Sequence, residues 1–170
     1  MSEKTKKLTF LALSCTLALM LSYIEMLLPP LAVSIPGIKI GLANLVIITL
    51  LYRYGVKEAA VVSLLRLVLS FLLFGNAMTA LYSLSGAVLS LFVMAVMKKL
   101  AFFSTVGVSV TGAVTHNLGQ ILVAIFLFDS LSIGYYMLIL TLTGTAAGIF
   151  IGLSAVFLLK RLKTIKKSNH

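Results

Sequence analysis

From Leu8 to Leu159 the sequence is a succession of apolar stretches separated by short turns. A chain that enters hydrocarbon must satisfy its own backbone N–H and C=O groups, and a helix does so within one segment. A hydrocarbon core of ~30 Å takes roughly 20 apolar residues in a helix. Six stretches qualify as spans: residues 8–28, 38–52, 59–74, 77–97, 103–128 and 135–159. The second and third are short. Folding them as a re-entrant hairpin would bury Arg53, Lys57 and Glu58 in the membrane, which costs more than two short crossings. The expected fold is an all-α membrane protein of six transmembrane helices, one integral domain over residues 1–170, with 160–170 as a basic tail.

Composition agrees with this reading. Hydrophobic residues make up 61% of the 170, and charged residues only 11%, well below the ~25% of soluble domains. The first stretch follows Lys4, Lys6 and Lys7, as in a signal peptide. It is longer than a ~7–15-residue signal core and ends in Leu27-Leu28-Pro29-Pro30, so a retained helix is expected.

The net charge of +10 is a topology signal before it is anything else. With six crossings, 12 of the 14 Lys and Arg residues fall on one side: the start, the Arg53–Glu58 turn, Lys98-Lys99 and the tail. The exceptions are Lys39 and the intramembrane Arg66. The positive-inside rule puts both termini in the cytoplasm of a cell-membrane protein. The tail is also suited to anionic headgroups of the lipid bilayer. No soluble domain or motif points to nucleic acid.

Polar residues inside the spans need partners. Glu25 and Asn76 fall near the outer ends of their spans, Asn44 in an outer half, and Arg66, His116 and Asn117 near mid-membrane, with Gln120 further out. On a helix, His116, Asn117 and Gln120 share roughly one face, which must look inward at other helices or at a ligand. An arginine at a helix centre costs at least ~2.5–3.5 kcal/mol on insertion scales. Two roles for Arg66 are open: a pair with Glu25, or reception of an anionic ligand group by the guanidinium fork. These depths outline a polar pocket open to the outside, with the apolar Pro29–Gly37 loop as its lid.

Small residues suggest close helix contacts. Ser14, Ala18 and Ser22 recur every four residues in the first span. Gly144, Gly148 and Gly152 form a ladder in the sixth, open to an internal or a partner contact.

Catalysis has little to draw on. The acids are Glu3, Glu25, Glu58 and Asp129, too scattered for the aspartate clusters that hold magnesium and diphosphate. No P-loop, HExxH or nucleophile triad is present. Cys15 is the single cysteine, and no metal-ligand spacing occurs. No catalytic residue, metal or cofactor is expected.

Ile35-Pro36-Gly37-Ile38-Lys39-Ile40-Gly41-Leu42-Ala43-Asn44, then Arg66, Ser83-Leu84-Ser85-Gly86 and His116-Asn117-Leu118-Gly119-Gln120, resemble the Gx transporter family. That family is also labelled heptaprenyl diphosphate synthase component I. It is similar to the substrate-binding S components of bacterial energy-coupling factor (ECF) transporters. The resemblance implies six helices with both termini inside, and a bound vitamin-like small molecule. It also implies docking to an ECF coupling subunit and ATPases through small residues of the first helix, here Ser14, Ala18 and Ser22.

The leading expectation is a small-molecule-binding transport component. Its candidate ligand contacts are Glu25, Asn44, Arg66, Asn76, His116, Asn117 and Gln120. The alternative is a non-catalytic membrane scaffold for an isoprenoid or quinone synthase, or for a flavin-based electron-transfer system. A scaffold predicts an Arg66 satisfied by Glu25 and no enclosed outer cavity.

Overall fold

A computed structural model describes residues 2–27, 41–100 and 102–168, with side chains to residue 162. The Pro29–Gly37 loop and Lys39 lie outside the described residues. The described chain is all-helical: α1 (Glu3–Leu27), α2 (Asn44–Arg53), α3 (Val56–Leu73), α4 (Ala77–Leu100), α5 (Thr105–Phe128), a 3₁₀ turn (Leu131–Tyr135) and α6 (Tyr136–Ser168). Four of these elements are long and apolar enough to cross a membrane: α1, α4, α5 and the 3₁₀ turn with α6. α3, at 18 residues, carries Lys57, Glu58 and Arg66. α6 continues through the basic stretch from Lys160 to Ser168.

Local chemistry sets the helix boundaries. Ser2 Oγ accepts from Thr5 N–H and caps α1, and Ser104 Oγ accepts from Gly107 N–H and caps α5. Asn76 caps α4: its Oδ1 accepts from Thr79 N–H at 2.9 Å, and Thr79 Oγ1 accepts from Asn76 N–H at 3.0 Å. This is a reciprocal capping box with Asn and Thr in the two roles. Asp129, in the left-handed region at φ 46°, ends α5.

α2 starts later than its apolar stretch. Gly41 takes φ 87°, which a helix cannot continue through, so the helix begins at Asn44. At 10 residues it is ~15 Å long, about half a hydrocarbon core. Seven of its residues are buried, so it sits within the bundle, against α1, α3 and α6.

α5 is the central pillar and packs along both α4 and α6. The glycine ladder of α6 is what lets α6 approach. A Cβ at Gly148 would lie 2.6 Å from Val110 Cα, and one at Gly152 would lie 2.7 Å from Val106 Cα. The ladder is therefore spent inside the chain, backbone against backbone. On the other side, a Cβ at Gly119 would meet Ser85 O at 2.7 Å on α4.

Basic residues gather at one end of the bundle. Lys7 Nζ pairs with Glu58 at 2.5 Å, joining α1 to α3. The Arg53 guanidinium stacks over the Phe10 ring at 4.5 Å, and Lys98 Nζ donates to Leu51 O at 2.6 Å. Bonding to the last carbonyls of α2 is how a lysine stabilises a helix C-terminus.

Candidate functional site

The polar residues divide into two buried groups, both away from that basic end. The first surrounds the start of α2. Glu25, on α1, accepts through Oε1 from the N–H of Gly41 and, at 3.4 Å, of Leu42. The carboxylate meets the amides just ahead of Ala43, the N-cap of α2, near the positive end of that helix. Asn44 follows directly, with Nδ2 2.9 Å from where a Gly41 Cβ would stand. His116 Cδ2 comes within 3.5 Å of the same point.

His116 is fixed from two sides. Gln120, one turn on, places Nε2 3.0 Å from His116 Nε2. On the α4 side, a Gly86 Cβ would lie 2.9 Å from the imidazole, so only glycine admits the ring there.

The second group surrounds Arg66 on α3. The residue is 5% exposed, and Nη1 donates to Ser22 Oγ at 3.1 Å. Its Nε is buried with no hydrogen-bond partner among the described residues, and Ser70 Oγ is in the same state. No ion pair joins Arg66 to Glu25 among the described residues. Arg66 and Ser70 line a cavity of about 110 Å³ between α3 and α4. Asn76, Thr79 and Ser83 line it from α4, and Met26, Phe71 and Phe74 add apolar wall.

The residues singled out from sequence are thus separated by the fold. Glu25, Asn44, His116 and Gln120 gather at the start of α2, whereas Arg66 and Asn76 share the cavity. Asn117 stands apart: its Nδ2 donates to Leu140 O on α6 at 2.7 Å. It lies ~100° around the helix from His116, enough to reach the opposite neighbour. Ser14, Ala18 and Ser22 are all buried, so this stripe faces the bundle interior, and Ser22 holds Arg66. Sequence reasoning passed over Ser70, although its place one turn after Arg66 on α3 was a usable signal. It also read Ser22 only as a helix contact.

A family model described as heptaprenyl diphosphate synthase component I matches residues 14–158. Comparison with curated proteins and with solved structures gave no match. The matched span takes in α2 to α5 whole, and with them both polar groups. The chain belongs to the heptaprenyl diphosphate synthase component I family.

Proposed function

We propose that this protein is the small-molecule-binding component of a membrane transport system, comparable to an ECF S component. In this reading the helices make six crossings with both termini in the cytoplasm. The Arg66 cavity then opens towards the outside. The buried, incompletely bonded Arg66 at a cavity carries the reading. A scaffold has no use for such a residue, since an unmatched buried charge only destabilises it.

Transport across the membrane would be driven by partner ATPases acting through a coupling subunit, because this chain has no nucleotide-binding motif. With Ser14, Ala18 and Ser22 turned inward, the coupling subunit meets the outer surface of α1 beside that stripe.

The second reading is a non-catalytic membrane accessory of a prenyl diphosphate synthase, and the family description favours it. In either role the chain is proposed not to be the catalyst. Of its four acids, Glu25 is committed to the start of α2 and Glu58 to Lys7. The test is affinity capture of the tagged protein from its own membranes in mild detergent. Co-purifying ATPase and coupling subunits support the transport reading. A stoichiometric prenyl synthase without them supports the accessory reading and overturns the first.

A further inference from the structure

We propose that the Arg66 cavity receives a single monoanionic group, a carboxylate or a phosphodiester, with Ser70 as a second donor. This rests on the binding-component reading and gives its ligand a chemical class.

The donor pattern selects the group. A guanidinium has five N–H donors, and Arg66 commits Nη1 to Ser22. The edge formed by Nε and Nη2 makes no hydrogen bond to any described residue. That edge grips two oxygens of a planar or tetrahedral anion side-on. Ser70 Oγ, one turn along the same face, is likewise unbonded and lines the cavity. Asn76 Oδ1 and Thr79 Oγ1 are taken up by the α4 cap, so these residues form the rim of the cavity.

Charge and size set the limits. Among the described residues, one guanidinium and no acid line the cavity. A second negative charge would find no further cation among the described residues that line the cavity. About 110 Å³ is well below the ~300–1,000 Å³ of sites that enclose drug-sized ligands. The cavity therefore takes the anionic head, and the rest of the molecule leaves past Met26, Phe71 and Phe74.

The test is thermal unfolding of the full-length protein in phosphatidylcholine nanodiscs. Acetate and dimethyl phosphate are the monoanion probes, with chloride at equal ionic strength as reference. Either probe should raise the wild-type midpoint by ~5 °C near saturation. Arg66→Gln should abolish the rise. Ser70→Asp should abolish it too, and should melt above wild type without probe because its carboxylate fills the site. A rise only in discs containing phosphatidylglycerol would assign the group to a lipid; a rise with the soluble probes assigns it to an aqueous ligand. No rise with any of these, a rise that survives Arg66→Gln, or a Ser70→Asp protein that melts below wild type overturns the inference. A neutral ligand retained by the protein while the anions have no effect would overturn this inference and leave the binding-component reading intact.

Discussion

Arg66 donates to Ser22 Oγ at 3.1 Å, and this neutral hydroxyl is its one hydrogen-bond acceptor among the described residues. A buried arginine held this way keeps its charge available to a visitor. Ser22→Ala should therefore destabilise the ligand-free protein by about 1–3 kcal/mol, the cost of leaving a buried donor unsatisfied. Ser14→Ala, where the hydroxyl bonds only Phe10 O in its own helix, should cost far less. Denaturant unfolding of both variants checks the difference.

Glu25 and Arg66 should behave as separate elements. Glu25→Gln removes a charged acceptor from the amides of Gly41 and Leu42, and hydrogen bonds to charged groups contribute about 1.5–3 kcal/mol. In a double-mutant cycle with Arg66→Gln, the coupling should stay below ~1 kcal/mol. A directly bonded buried pair would give several times that.

The α5–α6 contact tolerates no side chain at its centre. Gly148→Ala forces a Cβ towards Val110 Cα, at 2.6 Å in the unrelaxed geometry, and should cost roughly 1–3 kcal/mol of overpacking. Gly107→Ala meets nothing nearer than 3.7 Å and should be neutral or slightly stabilising, since alanine is the better helix former. Paired melting curves separate the two.

Stability should fall with acid through one identifiable pair. The hydrogen bond from Lys7 holds the Glu58 carboxyl below its ordinary value of 4.5. A group with a depressed folded-state pKa contributes stability above its unfolded pKa and loses it as pH falls through the folded value. Unfolding midpoints measured from neutral to acid pH should show this loss in wild type. Lys7→Met should remove that component.

Much of the fold was legible because spans and turns have strong chemistry. The apolar stretches became helices, and the turns at Gly55 and Gly75 fell between them. The start of α2 was not legible, because it depends on the backbone angle of Gly41 and on a carboxylate 16 residues earlier. At the site, His116 and Gln120 were rightly placed together by their one-turn spacing. Asn117 was grouped with them by adjacency, yet a step of ~100° turns it to α6. Whether Arg66 met Glu25 depended on how two separate helices are rotated, which spacing within each helix does not encode.

The most direct test of the binding role is native mass spectrometry of the protein released gently from its own membranes, beside Arg66→Gln. Wild type should retain a small molecule bearing one carboxylate or phosphodiester, and the variant should show a bare mass. A bare mass for both, or the same adduct on both, would contradict it.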